Sequence, residues 1–261
     1  MTDPVLILTM KWGTLYGTGD VNRLHRQVRR HLARPHRFIC FTDDADGLDA
    51  GVEAMPLPDL GLPDGHDDLR WRKLALFRRD LAGLRGTALF LDLDLIVVDD
   101  LSPFFDIDGP GAVLTVRDDD LFRPKPLRRL TPERDRFHRT VGNSSVVRFE
   151  VGRHAHVLEA FVADPEAATA RYEISQQFQS AQLAARGDLG YWPKGWCVSF
   201  KNDCMPRHLL TYVSDPVLPP GARIVLFAGE PKMAEVFAGR GNRWYRRIGR
   251  IDWLRQAWEA C

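Results

Sequence analysis

The sequence predicts an α/β fold in which helices flank a mostly parallel central sheet. Apolar runs at residues 5–10 and 37–42 enclose a segment with helical periodicity, and this strand–helix–strand order begins a right-handed parallel unit. A third apolar run, 88–98, is typical of a buried strand. The 261 residues suffice for one large α/β domain, and since no linker is recognisable we expect a single domain over 1–261.

The first helix is predicted to begin at Thr18 or Asp20 and to stop at Pro35. Its apolar residues recur at helical spacing, so we expect its Arg and His side chains on the other face. A short strand is expected at 52–56, and a second helix at 69–81 is closed by glycines. The side chains expected to point inward from this second helix are Trp71, Leu74, Phe77 or Ala75, and Leu81.

The carboxyl-terminal half continues the alternation of strands and helices. Further strands are predicted at 112–116, at 144–149, within 191–202 and at 224–227. Further helices are predicted at 152–164 and 175–186.

Two segments of this half are less regular. Residues 118–140 contain three consecutive Asp and three Pro among many Lys and Arg, and we expect a mobile loop, either solvated surface or a lid that grips substrate. Residues 243–261 form a basic, Trp-rich tail that we expect to be helical from Asp252. The tail either makes a weak contact with a membrane surface or docks Trp253, Leu254 and Trp258 on the domain, and we favour docking.

Bulk composition excludes several classes of function. The net charge of +1 provides no electrostatic basis for binding nucleic acid. The four cysteines have spacings that match no zinc site, which favours reduced thiols. The first apolar run is too short for a secretory signal, and no run reaches 18 apolar residues, so we expect a cytoplasmic protein.

Asp92 and Asp94 interrupt the apolar run 88–98 and are the strongest chemical signal in the chain. On a strand they would project to one side, with Cα atoms about 7 Å apart. Buried carboxylates are costly unless they are neutralised, and hard oxygen donors suit Mg²⁺ or Mn²⁺. We therefore predict a divalent metal site here. The alternative is that both are loop carboxylates, as we expect for Asp99 and Asp100.

The same Asp-x-Asp string also occurs as the nucleophile motif of haloacid-dehalogenase-like phosphatases, in which the first Asp attacks phosphorus. Those enzymes carry the motif on their first strand and follow it with small residues. Here Leu95 and Ile96 follow the motif, and about ninety residues precede it. A metal-dependent phosphatase is therefore the weaker alternative.

Several segments, in order along the chain, resemble GT-A glycosyltransferases of the glycogenin and bacterial lipopolysaccharide type. Residues 72–105 resemble their Lys-Leu helix, Asp-x-Asp strand and Asp-Asp-Leu ending. Residues 142–147 resemble the Phe-Asn-Ser-Gly-Val segment of that family, and 224–232 its Ile-Ile-His-Phe-x-Gly-x-x-Lys segment. Residues 192–201 resemble a related uncharacterised bacterial group. The resemblance implies a GT-A fold and transfer of a sugar from a nucleotide-diphospho-sugar.

The resemblance also implies roles for particular residues. Asp92 and Asp94 would ligate Mn²⁺ or Mg²⁺. The base of the nucleotide would be held by Thr9 and, through stacking, by Tyr16; alternatively these are a strand-end cap and an exposed loop aromatic. Lys73 would contact the donor phosphate or sugar, or be one more solvated helix lysine.

Four more residues would complete the donor site. Asn143 and Ser144 would lie beside the sugar, or form a turn before a strand. Gly229 would allow close backbone approach to the diphosphate and Lys232 would supply charge, or the segment is simply a turn. Gln176 would hydrogen-bond the sugar, and with Asn143 it is our candidate for a role in catalysis.

The sequence departs from the family at two positions. The third metal ligand of the family is a His where Leu226 stands, and the related bacterial group has a His where Ala228 stands. The Asp-Gln pair of the family corresponds to Ser175-Gln176, which lacks the carboxylate. These changes leave open a catalytically weak relative that only binds a nucleotide-sugar.

His154 and His156 form a further motif of metal-binding residue types. They fall in the helix predicted at 152–164, where residues two apart do not share a face. We therefore expect no metal site there. The prediction for the whole chain is a metal-assisted glycosyltransferase whose partners are a nucleotide-sugar donor and a sugar or lipid-linked sugar acceptor, with no nucleic acid.

Overall fold

The computed structural model describes residues 4–62, 70–107, 113–117, 139–241 and 246–259. The predicted loop 118–140 therefore lies outside the described residues except at its last two positions. The strands are β1 (Val5–Lys11), β2 (His36–Thr42), β3 (Val52–Met55), β4 (Thr87–Leu91), β5 (Leu95–Val97), β6 (Val113–Arg117), β7 (Gly142–Glu150), β8 (Leu189–Tyr191), β9 (Cys197–Ser199) and β10 (Ile224–Leu226). The α-helices are α1 (Thr18–His31), α2 (Pro103–Asp106), α3 (His156–Ala163), α4 (Pro165–Arg171), α5 (Ser175–Ala185), α6 (Met233–Phe237) and α7 (Asp252–Glu259).

Seven of these strands form the main sheet, in the order β3-β2-β1-β4-β7-β6-β8. The first four are parallel to one another, β7 is antiparallel to both of its neighbours, and β8 is parallel to β6. The predicted mostly parallel sheet is confirmed. Because the carboxyl ends of parallel strands meet at one edge, loops after β1, β2 and β4 converge there, where ligands bind in open α/β sheets.

Alternate residues of the strands pack into two separate cores, one on each face of the sheet. Leu6 and Leu8 of β1 pack with Trp71 and with helices α3 and α5 on one face. Ile7 of β1 packs with the apolar stripe of α1 on the other face. This period-two alternation places helices on both faces, as the sequence predicted.

The long strand predicted at 88–98 is wrong, because the chain breaks into two strands at the Asp-x-Asp motif. β4 belongs to the main sheet, whereas β5 joins β10 and β9 in a separate three-stranded sheet. Residues 92–94 form the turn between them. The pattern of apolar residues could not reveal this break, because both strands are fully buried and both therefore read as apolar.

The helix predicted at 69–81 is also shorter than expected. A 3₁₀ helix spans Arg72–Phe77, and Arg78 leaves helical geometry at its end. The predicted inward side chains are nevertheless buried, with Trp71, Leu74, Ala75, Phe77 and Leu81 at most 3% exposed. Burial of these residues does not require a regular helix, so the predicted inward positions were correct although the predicted helix length was not.

Polar residues of α1 correct a further expectation. Arg26, Arg29 and Arg30 are exposed as predicted, but Arg23 and His25 are buried. The prediction placed every Arg and His away from the core, and it was wrong for these two. Besides the main sheet, other segments of the chain cover α1, among them the carboxyl-terminal helix α7.

The carboxyl-terminal tail packs as a helix on the small sheet. α7 begins at Asp252, as predicted, and Leu254 is fully buried in a third core that includes Ile96 of β5. The indole of Trp253 donates a hydrogen bond to the carbonyl of Pro216 at 3.0 Å. This packing accords with the favoured docking of the tail. Among the described residues, no helix is long and apolar enough to cross a membrane.

Candidate functional site

The turn that carries Asp92 and Asp94 is held at the carboxyl edge of the main sheet by backbone hydrogen bonds to two other strands. The amide of Asp92 donates to the carbonyl of Ser145 in β7 at 2.9 Å. The amide of Phe227, which follows β10, donates to the carbonyl of Asp94 at 2.9 Å. The two carboxylates therefore lie where the main and small sheets meet.

The carboxylate of Asp92 is paired with Lys73. The lysine ammonium lies 2.6 Å from Oδ2 of Asp92, and both side chains are about four-fifths buried, with exposed fractions of 21% and 17%. The sequence left open whether Lys73 is solvated. Its position at the start of the 3₁₀ helix Arg72–Phe77 directs it to the motif, so it lies in the site.

Asp94 has a carboxylate oxygen whose hydrogen-bonding capacity is not used. Its Oδ1 atom is buried and has no hydrogen-bond partner among the described residues. Burial and the neighbouring charge of Asp92 raise the pKa of Asp94 to about 6, although Lys73 and Lys232 oppose the shift. A carboxylate in this state gains from a bound cation, because the cation replaces both the missing partner and the lost hydration.

Tyr16 and Thr9 lie on the same edge. Tyr16 is half-buried, and its pKa is raised by burial and then by the charges of Asp94 and Asp92, which places the phenol near both carboxylates. Thr9 is fully buried near the end of β1, and its hydroxyl has no hydrogen-bond partner among the residues described. The alternatives that the sequence offered were an exposed loop aromatic for Tyr16 and a strand-end cap for Thr9. Neither fits well, since Tyr16 is half-buried and the hydroxyl of Thr9 caps no described group.

Asn143 and Ser144 are not in a turn, as one alternative had it, but in the first residues of β7. Both are buried, and the amide oxygen of Asn143 accepts from the backbone of Ser145 at 3.0 Å. Because β7 is antiparallel to β4, its beginning lies beside the end of β4, next to Asp92. These residues therefore share the edge with the Asp-x-Asp turn.

Gln176 is connected to the same strand through Ser180. It lies in the first turn of α5, and its carbonyl accepts from the hydroxyl of Ser180 at 2.6 Å. That hydroxyl accepts in turn from the amide of Gly142 at 2.8 Å. The start of α5 is thus fixed against the start of β7, which brings Gln176 to the side of the site occupied by Asn143.

Gly229 and Lys232 follow the small sheet. Gly229 has a φ of +84°, and a side chain there would meet no described atom within 4 Å. Within the protein, its need for glycine therefore comes from the left-handed turn and not from close packing. The charge of Lys232 acts on Asp94 and lowers its pKa, so this lysine also faces the motif. The turn interpretation and a site role for Lys232 are compatible.

Leu226 cannot provide the missing third metal ligand. It is 1% exposed, pairs with Leu95 across the small sheet and packs in the core on the α1 side. In the part of the chain that the structure describes, no His, Cys, Asp or Glu joins Asp92 and Asp94 in a group of three with metal-ligand geometry. Of the described residues, Asp92 and Asp94 are therefore the acidic pair that could hold an ion at this turn.

Arg23 is a residue of this region that the sequence prediction missed. Its guanidinium donates to the carbonyl of Leu93, inside the motif, at 3.2 Å and pairs with Asp20 at 2.6 Å. It also lies over the ring of Trp258 in α7, 3.9 Å from the ring centroid. At helical spacing Arg23 falls on the face away from Val21 and Leu24, so the local pattern carried no signal of its burial.

Comparisons with known proteins identify the fold. No protein-family model matches the chain, and no curated protein sequence matches it. Several solved structures, however, match the chain. The galactosyltransferase LgtC, in complex with donor and acceptor sugar analogues, matches with a TM-score of 0.63 at 13% identity, over 97% of this chain and 95% of its own.

Two further structures agree. An active-site mutant of LgtC, in which glutamate replaces glutamine, matches with a TM-score of 0.59 at 15% identity, over 92% of this chain and 91% of its own. The apo form of the glycosyltransferase GlyE from Streptococcus pneumoniae TIGR4 has a TM-score of 0.61 at 13% identity, with 99% of this chain covered but 62% of GlyE. The expected resemblance to GT-A glycosyltransferases is confirmed at the level of the fold.

Proposed function

We propose that this chain is a glycosyltransferase that moves a sugar from a nucleotide-diphospho-sugar to an acceptor, assisted by a divalent metal ion. The observation that carries the proposal is the buried, unpartnered oxygen of Asp94, beside Asp92 and within reach of the charges of Lys73 and Lys232. Two anions and two cations at the carboxyl edge of a GT-A sheet suit a metal–diphosphate unit better than any neutral ligand.

The donor set fits Mn²⁺ or Mg²⁺, though incompletely. Asp92 and Asp94 would hold the ion through hard carboxylate oxygens, and donor phosphate and water would fill the positions that Leu226 leaves without a side chain. When bound, such an ion takes up negative charge on the leaving diphosphate. The ammonium group of Lys73, which already pairs with Asp92, would also attract the same phosphates.

The remaining residues would bind and orient the donor. Tyr16 and Thr9 would hold the nucleotide base, and Gly229 and Lys232 would meet the diphosphate. Asn143, Ser144 and Gln176 would hydrogen-bond the sugar hydroxyls. A solved LgtC structure that carries a glutamine-to-glutamate change in its active site lends support to a glutamine in such a role.

In the proposed reaction, the bond between the anomeric carbon and the phosphate oxygen of the donor breaks. The nucleoside diphosphate leaves, and a hydroxyl of the acceptor forms the new glycosidic bond while its proton passes to the leaving diphosphate or to water. A sugar or a lipid-linked sugar is the acceptor that suits this chemistry. A weak contact of the tail with a membrane surface would bring a lipid-linked acceptor near, although the burial of Leu254 favours a packing role for α7.

A second candidate function is binding of a nucleotide-sugar without efficient transfer. Two observations favour it, namely Leu226 in place of a third ligand and Ser175 in place of a carboxylate. A binding protein and an enzyme share the donor site and differ only in turnover.

A thermal-shift screen of UDP-, GDP-, ADP- and dTDP-sugars, with and without Mn²⁺, tests the proposal. A glycosyltransferase should be stabilised by one donor class with Mn²⁺ and should release nucleoside diphosphate in its presence. Stabilisation without release supports the binding protein. Cleavage of a generic phosphomonoester that depends on Asp92 would indicate the phosphatase instead, and absence of any donor-dependent shift would contradict both donor-binding functions.

A further inference from the structure

His154, His156 and Asp188 form a second cluster of metal-binding residue types. One ligand atom from each lies within 4.8 Å of the other two. The two histidines follow β7 and Asp188 precedes β8. Glu150, at the end of β7, pairs with Thr87 at the beginning of β4, so the cluster lies at the sheet edge opposite to Asp92 and Asp94.

The expectation of no metal site here rested on both histidines lying in one helix, and that premise was wrong. α3 begins at His156, and residues 151–155 form turns, so His154 is not helical. The turn depends on Gly152, whose φ is +80° and where an added Cβ would lie 2.7 Å from the carbonyl oxygen of Arg79. This geometry brings one ligand atom of each imidazole within 4.8 Å of the other.

The cluster is chemically unsatisfied. His154 is 2% exposed, yet neither of its ring nitrogens has a hydrogen-bond partner among the described residues, and the same holds for Nε2 of His156. Nδ1 of His154 lies 3.4 Å from a carboxylate oxygen of Asp188 without forming an aligned hydrogen bond. A buried polar atom without a partner costs about 1–3 kcal/mol, so a fold that keeps three of them together needs an explanation.

We propose that His154, His156 and Asp188 bind a zinc ion that joins the turn after β7 to the loop between α5 and β8. Two imidazoles and one carboxylate are borderline and hard ligands of the kinds that zinc accepts. A tetrahedral zinc ion with bonds of about 2.0–2.1 Å keeps its ligands about 3.4 Å apart. The His154–Asp188 distance of 3.4 Å already matches this value, and the other ligand-atom separations, which are at most 4.8 Å, would shorten on binding.

The surroundings also suit an ion. The side chain of Asp188 is 32% exposed, which leaves a route from solvent and a fourth position for water. The backbone of Gln182 lies beside the ring of His156, and such an outer contact orients a ligand histidine.

The ion would act on the position of α5. Asp188 follows the carboxyl end of this helix, while Gln176 lies in its first turn. A link at Asp188 restricts movement of the helix relative to β7 without entering the donor site. The inference does not depend on the proposed transferase activity.

The test is a titration of the metal-free, full-length protein with Co²⁺ and Zn²⁺, followed by absorption spectroscopy and thermal unfolding. We expect one tetrahedral Co²⁺ per chain, recognised by its strong visible bands and distinct from any weakly absorbing octahedral Co²⁺ on Asp92 and Asp94, displacement of this ion by Zn²⁺, and a Zn²⁺-dependent rise in melting temperature that persists in the Asp94→Asn variant. Asp188→Asn and His156→Gln, both at partly buried positions, should weaken Co²⁺ binding at least tenfold, which is about 1.4 kcal/mol. Asp94→Asn, at the opposite edge, is the matched control and should retain it.

Two results would overturn the proposal. One is an unchanged melting temperature of the wild-type protein in tenfold excess Zn²⁺. The other is tetrahedral Co²⁺ binding of equal affinity in the wild type and in the double variant Asp188→Asn/His156→Gln, which would assign the ion to another part of the chain. Circular dichroism of each variant distinguishes a lost ligand from a lost fold.

Discussion

The ammonium group of Lys73 lies 2.6 Å from Oδ2 of Asp92, and the ion pair connects the 3₁₀ helix Arg72–Phe77 to the turn after β4. One carboxylate of the motif is therefore already neutralised within the protein. The other, Asp94, keeps a buried oxygen without a partner. This asymmetry suggests that Asp94 has more to gain from a bound metal than Asp92.

Asp94→Asn should stabilise the metal-free protein and should remove the stabilisation that Mn²⁺ gives to the wild type. Without metal, the variant should be more stable than the wild type at pH 7.5, because the amide removes a buried charge next to Asp92. The variant should also lose stabilisation by Mn²⁺ and any Mn²⁺-dependent turnover. Thermal unfolding with and without Mn²⁺ measures both effects, and Asp99→Asn, a change of a neighbouring exposed carboxylate, should produce neither.

The sign of the pH dependence follows from the pKa of Asp94, which is raised from 3.8 to about 6. Between these values the folded protein holds a proton that the unfolded chain has released, so this carboxyl lowers stability progressively as pH rises. The advantage of Asp94→Asn should therefore grow from pH 4 to pH 6 and then level off at about 1–3 kcal/mol. Urea unfolding of both proteins across this range checks it, and a constant difference would contradict the assignment.

The Lys73–Asp92 pair should show a measurable coupling that a metal weakens. A double-mutant cycle with Lys73→Met and Asp92→Asn should give a coupling of about 0.5–3 kcal/mol in metal-free protein, because each single change leaves a largely buried charge alone. In saturating Mn²⁺ the coupling should fall, since the ion takes over the neutralisation of Asp92. A coupling that is identical in both conditions would argue against a metal on Asp92.

Leu226→His tests whether the metal site lacks only its third ligand. The variant should bind Mn²⁺ several-fold more tightly than the wild type, although it should lose stability because an imidazole replaces a core leucine. Ile224→His is the matched control, as Ile224 is equally buried two residues earlier on the same strand. It should lose stability without any gain in Mn²⁺ affinity, and isothermal titration separates the two outcomes.

Trp258 should stabilise the Asp-x-Asp turn through Arg23. The guanidinium of Arg23 contacts both the Trp258 ring and the carbonyl of Leu93, so Trp258→Ala removes one support of that arginine. We expect a loss of about 1–3 kcal/mol together with weaker donor binding. Gln256→Ala, at an exposed position of the same helix, should change neither property. If Trp258→Ala weakened only binding to anionic vesicles, the tail would be a membrane contact.

The sequence by itself determined the architecture and predicted where the candidate site lies. Alternating apolar periods predicted helices on both faces of a parallel sheet, since each period reflects which side of an element is buried. The apolar setting of Asp92 and Asp94 indicated functional carboxylates, because burial of charge requires compensation. Ordered weak motifs added Lys73, Asn143 and Lys232 to the same edge.

Only the tertiary structure decided how these residues meet. Two buried strands that follow one another in sequence have the same apolar pattern as one long strand, so the break at residues 92–94 was not visible. The burial of Arg23 depends on α7, which lies more than 200 residues away in the sequence. The meeting of His154 and His156 with Asp188 depends on a glycine turn and on strand pairing across the sheet. Such contacts are set by packing between distant segments, and a local pattern of residue types does not encode them.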